Sequence, residues 1–144
     1  MSEAQSTEAR ALALVLDTNI VLDLYVYEDP ATVPLREALA DRQTRWLATA
    51  AMRDELARVL SYPQIGKRLA SRGLTCAEVL ALFDGRAVLV DAGPKAAYTC
   101  KDADDQKFID LAVVHGAILL SKDAEVLCMA RRLARLGVTV ARGI

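Results

Sequence analysis

Five short apolar runs, four to six residues each, alternate along this chain with longer stretches whose apolar positions recur every three or four residues. The runs at 11–16, Arg45–Ala48, Ala87–Val90, Ala117–Leu120 and Val138–Ala141 have the length and bounding residues of buried strands. The stretches Asn19–Tyr25, Ala31–Gln43, Thr49–Leu60, Gln64–Ser71, Thr75–Phe83, Asp104–His115 and Ala124–Leu136 have helical spacing. Their ends carry the expected punctuation: Asp29-Pro30 and Tyr62-Pro63 stop helices, Thr49 is placed as an N-cap, and Gly116 and Gly137 follow helix ends. Strands alternating with helices predict a parallel sheet covered on both faces.

Two of the apolar runs lead directly into acids. Leu12–Val15 is followed by Leu16-Asp17-Thr18-Asn19, and Ala117–Leu120 by Ser121-Lys122-Asp123. A carboxylate at the end of a buried strand is costly unless its desolvation is offset, and in open α/β sheets the carboxyl ends of strands gather ligands. A third acidic segment, Cys100–Phe108, opens the helix predicted before the second of these runs.

Helical phase ranks the remaining acids. On the helix ending at Leu60 the apolar stripe is Met52, Leu56, Val59 and Leu60, which puts Glu55 on its flank and Asp54 nearly opposite. On the helix 104–115 the stripe is Phe108, Ile109, Ala112 and Gly116; Asp105 falls on that face, and Lys107 and Asp110 point away. Asp102 and Asp104 fit helix capping and the helix dipole, with Asp104 also a candidate auxiliary ligand. Each inward acid has a purely structural alternative. Asp17 and Asp123 can cap the helices that follow them, and Glu55 can pair with an arginine. The convergence of four carboxylates from four segments favours a shared cation over four separate explanations.

Composition narrows the chemistry. The chain has 144 residues, 53% of them hydrophobic and 5% aromatic, which suits helices packed on a parallel sheet in one domain over 11–144. Residues 1–10 read as a polar tail rather than a secretory signal, and no apolar run is long enough to span a membrane. Three widely spaced cysteines (Cys76, Cys100, Cys128) fit reduced thiols and a cytoplasmic location. Net charge is −1, so bulk charge does not announce a nucleic-acid partner, although a bound divalent cation would make the cleft locally positive. The single histidine, His115, lies at the far end of its helix, and no Gly-rich phosphate loop occurs. Carboxylates without His or Cys partners form an all-oxygen site that selects Mg²⁺ or Mn²⁺, and such a site suits phosphodiester hydrolysis. Thr18, Asn19 and Ser121 are short polar groups that orient a ligand or simply begin helices.

Four stretches, in order, resemble the PIN-domain family of Mg²⁺-dependent ribonucleases: Leu16–Leu22, Met52–Ile65, Cys100–Ala112 and Leu119–Glu125. They are most similar to the bacterial VapC-like branch, the toxins of toxin–antitoxin pairs. The resemblance implies a three-layer α/β/α, Rossmann-like fold with a central parallel sheet, and an acidic pocket at the strand C-termini. It assigns catalytic and metal-ligating roles to Asp17, Glu55, Asp105 and Asp123; two of these, Glu55 and Asp105, are the ones helical phase selects over their neighbours. Thr18 and Ser121 stand where the family often has a hydroxyl near the metal, and Glu125 where it often has a further acid. Ser121-Lys122-Asp123 replaces the family's commoner Thr-Gly-Asp, leaving Lys122 either on substrate phosphate or in solvent. Arg53, Lys101, Lys107 and Lys122 flank the motifs as candidate phosphate contacts. The implied partners are an RNA substrate, a cognate antitoxin and a second copy in a homodimer, with no membrane. Two other readings compete: a catalytically silent PIN-like module that binds RNA or protein, and a phosphoryl-accepting receiver-like domain. The latter needs adjacent acids after the first strand, where only Asp17 stands, and Asp91 is a poor phosphoacceptor match.

Overall fold

A computed structural model describes residues 12–144; the expected tail at 1–10 and the start of the first predicted strand lie outside the described residues. The chain order is β1 (Ala13–Leu16), α1 (Thr18–Tyr25), α2 (Val33–Ala40), β2 (Arg45–Ala48), α3 (Ala50–Leu60), α4 (Pro63–Ser71) and α5 (Cys76–Arg86). It continues with β3 (Val88–Leu89), α6 (Gln106–His115), β4 (Ile118–Leu120), α7 (Ala124–Leu127), α8 (Ala130–Ala134) and β5 (Thr139–Ala141). The five strands form one all-parallel sheet in the order β3-β2-β1-β4-β5. Helices cover both faces in a three-layer α/β/α arrangement.

That strand order fixes where a site can form. From β1 the chain steps outward through β2 to β3, then returns to lay β4 on the other side of β1. The order therefore reverses between β1 and β4. At such a switch point the loops leaving adjacent strands diverge and open a crevice beyond their carboxyl ends. Leu14, Val15 and Leu16 pair in register with Ile118, Leu119 and Leu120. Extending that register by one residue brings Asp17 beside Ser121.

The central strands β1 and β4 read as continuous apolar runs because both their faces are buried: Leu14, Val15, Leu119 and Leu120 are fully enclosed, whereas both residues of edge strand β3 are exposed. Trp46 of β2 is also enclosed and meets Phe83 of α5 edge-on, ring centroids 5.1 Å apart. Thr49 caps α3 through the Met52 amide, and Thr75 caps α5 in a reciprocal capping box with Glu78. Gly116 closes α6 at φ +59°, a backbone conformation that a side chain disfavours.

Three predicted helices differ from the fold, and the expected helix Asp104–His115 does so least, opening as a 3₁₀ turn at Ala103–Asp105 before α6. The expected helix Ala124–Leu136 is interrupted at Cys128-Met129. There the Met129 amide bonds the Val126 carbonyl, an i→i−3 turn. Burial at Val126, Met129 and Leu133 is spaced by three and four, which a tight turn satisfies as well as an α-helix does. The expected helix Ala31–Gln43 begins as a 3₁₀ turn at Pro30–Thr32 and ends at Ala40. The Asp41 carboxylate takes the Gln43 amide at 2.9 Å, a local bond that competes with helix continuation.

The long segment between β3 and α6 is fastened from α6. The Asp110 carboxylate accepts the Ala96 amide at 2.9 Å, and the Gln106 side chain bonds the Cys100 amide and the Tyr98 carbonyl. Gly93 lies flat on the same helix: a methyl group there would stand 2.6 Å from the Asp110 carbonyl oxygen. Gly93→Ala is expected to destabilise the protein by about 1–3 kcal/mol through overpacking. The check is the denaturant midpoint; an unchanged midpoint contradicts this close packing.

Candidate metal centre

Asp17, Asp105 and Asp123 each present a carboxylate oxygen within 4.8 Å of the others. Three different local structures deliver them. Asp17 follows β1, with its amide bonded to the Leu120 carbonyl of β4 at 3.0 Å, so sheet pairing itself aims the residue at the crevice. Asp105 ends a 3₁₀ turn, Ala103–Asp105, at the start of α6. Asp123 follows β4 and begins α7.

A buried hydroxyl ties two of these segments together. Ser121, fully enclosed, donates to Asp17 Oδ2 at 2.7 Å and accepts the Asp123 amide at 3.0 Å. Asp17 also accepts the Asn19 amide, and Asp123 accepts the Glu125 amide at 2.8 Å. Capping and convergence are therefore compatible: Asp17 and Asp123 serve the following helix and still reach the cluster. Asp105 makes no capping bond, and its Oδ2 is buried with no hydrogen-bond partner.

The electrostatics of this cluster are unbalanced. Burial raises the Asp17 carboxyl above its ordinary range, with the charges of Asp123 and Glu55 adding and the Ser121 and Asn19 bonds opposing. Asp105 is pushed up to about 8, first by burial, then by the adjoining Asp123 side chain and the charge of Asp17. Among the described residues no lysine or arginine lies within salt-bridge range of Asp17, Asp105 or Asp123. An orphaned buried oxygen and an all-carboxylate donor set fit a hard divalent cation.

Glu55 stands beside the cluster rather than inside it. Thr18 Oγ1 donates to Glu55 Oε2, and Lys107 Nζ lies 3.2 Å from Oε1. The alternative of an ion pair at this position is thus realised, with lysine in place of the arginine expected. Asp54, one residue earlier, is exposed.

Lys107 itself departs from the expectation that it points away. Its Cα lies off the apolar stripe, but the flexible four-carbon stem carries the ammonium back to Glu55 and the Asp104 carbonyl. Asp110 does point away from the cluster, yet it is the tether of the segment before α6 rather than a solvated acid. Lys107→Met is expected to lower turnover roughly 10- to 100-fold, the usual range for a residue that orients a site carboxylate. Stability should change by less than about 1 kcal/mol, because the pair is partly exposed. Steady-state kinetics beside thermal melting checks this, and unchanged kinetics would remove Lys107 from the site.

The other candidates spread around the crevice. Asp104 is exposed and outside the three-carboxylate group, and Asp102 caps it through its amide at 2.9 Å. Glu125 is half-buried, also outside the group, and its carbonyl accepts the thiols of Cys100 and Cys128. Arg53 is committed to Asp84 in a two-toothed ion pair at 2.7 and 2.8 Å. Lys101 is exposed. Lys122 is half-exposed and ion-paired with Asp23 of α1, rather than free in solvent. Asp23 escaped sequence reasoning, although an acid inside the apolar run of α1 is itself a signal of a buried partner.

A doubly wound parallel sheet whose switch point gathers three uncompensated carboxylates defines an α/β protein with an acidic, cation-type site. Residues 13–125, well over half the sequence, match a family model described as PIN domain, and the chain belongs to that family. PIN domains are generally nucleases and usually use divalent metals. No curated protein matches the chain. Among the described residues, no helix is long and apolar enough to cross a membrane.

Proposed function

We propose that this protein is a Mg²⁺- or Mn²⁺-dependent endoribonuclease. The observation that carries this reading is the trio of buried Asp17, buried Asp105 and half-buried Asp123, which has no lysine or arginine in salt-bridge range among the described residues and leaves Asp105 Oδ2 unpartnered. These three residues would hold the cation, and Glu55 would complete the site from its rim. When bound there, a divalent cation supplies Lewis acidity to the phosphodiester and acidifies water.

The protein's own groups supply the positioning. Ser121 locks the Asp17 carboxylate and the Asp123 backbone into one arrangement. Thr18 and Lys107 fix Glu55 at the rim, where its carboxylate takes the proton of the attacking water. The water oxygen bonds to phosphorus, the P–O3′ bond breaks, and the proton passes to the departing 3′ oxygen. The products are a 5′-phosphate and a 3′-hydroxyl.

His115 is exposed at the end of α6 and outside the cluster, so attack by the RNA 2′-hydroxyl has no imidazole pair to drive it. End-group analysis of cleaved single-stranded RNA tests this route. The expected ends are 5′-phosphate and 3′-hydroxyl; a 2′,3′-cyclic phosphate would contradict it.

The similarity of the four motifs to the toxin branch supports a role as the toxin of a toxin–antitoxin pair. A cytoplasmic site of action, a cognate antitoxin and a homodimer belong to that reading. Induced expression is then expected to arrest growth with the wild-type chain and not with Asp105→Asn.

A further inference from the structure

A cavity of about 420 Å³ opens beside the carboxylates and takes no part in the site described so far. Its size falls in the range of about 300–1,000 Å³ typical of small-ligand pockets. Its wall includes Asn19, Tyr27, Tyr62, Gln64 and the ion-paired Asp23 and Lys122. Two of these neighbour the acids in sequence: Asn19 lies two residues beyond Asp17, and Lys122 immediately precedes Asp123. The cavity and the cluster thus share the start of α1 and the loop that leaves β4.

The lining is unusual for a leftover surface cleft. Tyr27 and Tyr62 are 38% and 45% exposed, so part of each ring is open to a ligand. The guanidinium of Arg68 stands over the Tyr27 ring, 5.7 Å from its centroid, adding positive charge to that wall. Asn19 and Gln64 add amides that both donate and accept hydrogen bonds. Aromatic faces, amide edges and nearby cations are the elements that recognise an unpaired base.

We propose that this cavity is a nucleobase subsite that seats one unpaired nucleotide flanking the cleaved phosphate. The inference rests on the ribonuclease reading of the carboxylates. A single-stranded RNA with its phosphodiester at the cluster carries its next nucleotide past Asn19 at the start of α1 and the Lys122 loop, and the cavity is lined by both. The base stacks on Tyr62 or Tyr27, Gln64 and Asn19 meet its polar edge, and Lys122 lies near the connecting backbone. Preference for the base beside the cut is set here, while the acids set only where the bond breaks.

The test uses a fluorescein-labelled single-stranded RNA in which an abasic nucleotide is scanned through each position around the cut. Stacking is worth about 1–3 kcal/mol per base, so one position should show a loss of roughly 5- to 150-fold in kcat/KM with wild-type protein. The double variant Tyr27→Ala/Tyr62→Ala should erase that loss, and Tyr27→Phe/Tyr62→Phe should restore it. Fluorescence anisotropy with the same oligomers on Asp105→Asn protein reads binding without turnover. A wild-type chain that does not cleave, yet binds with the same position-specific loss and the same tyrosine dependence, overturns the ribonuclease reading and keeps the subsite. Cleavage or binding whose abasic profile is flat, or is unchanged in the double alanine variant, overturns the subsite.

Discussion

Replacing Asp105 with asparagine is expected to reduce cation-dependent RNA cleavage on the order of a thousandfold while leaving the cation-free protein as stable as wild type, or more so. The two halves of this result have one cause. Asp105 is buried, its Oδ2 has no partner, and its carboxyl is pushed up to about 8 because the folded environment disfavours its charge. Without a cation, the charged form is a burden on the fold, and an isosteric amide relieves it. With a cation, the same charge is what holds it. Several kcal/mol of transition-state stabilisation, at about 1.4 kcal/mol per tenfold in rate, gives the expected loss. Asp17→Asn should behave alike, since asparagine is also a good N-cap and can still accept from Ser121. Melting temperature and cleavage rate measured on the same preparations check both halves. A variant that is inactive but clearly destabilised would assign Asp105 to the fold rather than the site.

The second large effect links pH to the cation. Asp17 and Asp105 have raised carboxyl pKa values, so the folded state holds their protons more tightly than the unfolded chain does, where the ordinary value is 3.8. Stability from this difference is fully present below the unfolded value and is lost as pH rises through about 8 for Asp105. The melting temperature of EDTA-treated protein should therefore fall as the buffer moves from about pH 5 to pH 8.5. A divalent cation binds the ionised trio and reverses the trend. At a hundredfold excess over its dissociation constant it adds about 2.7 kcal/mol, most visibly at the alkaline end. Equal melting temperatures with and without Mg²⁺ at pH 8.5 would mean that the trio does not hold the ion.

Much of this arrangement was legible in the chain. The alternation of apolar runs with helical periods placed all five strands to within a residue or two; for the central strands the reason is that burial on both faces leaves little room for polar exceptions. Helical phase separated Glu55 from Asp54 and Asp105 from Asp104, since burial depends on Cα direction, which the 3.6-residue period fixes. It failed where reach exceeds direction: Lys107 starts off the inward face, and its long stem brings the ammonium back to Glu55. It also failed where tertiary pairing decides. Nothing local to Asp23 or Lys122 says that they meet, or that Asp110 serves the segment around Ala96. The break at Cys128-Met129 was hidden for a related reason: a 3₁₀ turn buries the same apolar residues as the helix it interrupts. The cavity flanked by Tyr27 and Tyr62 joins α1 to the junction of α3 and α4, a proximity that only the folded chain creates.

The most direct measurement is the rate at which EDTA-stripped protein cleaves a single-stranded RNA as Mg²⁺ is titrated back. With a cation held by Asp17, Asp105 and Asp123, cleavage is absent in EDTA and recovers to a plateau with Mg²⁺. Undiminished cleavage in EDTA, or none at any concentration of Mg²⁺ or Mn²⁺, would contradict it.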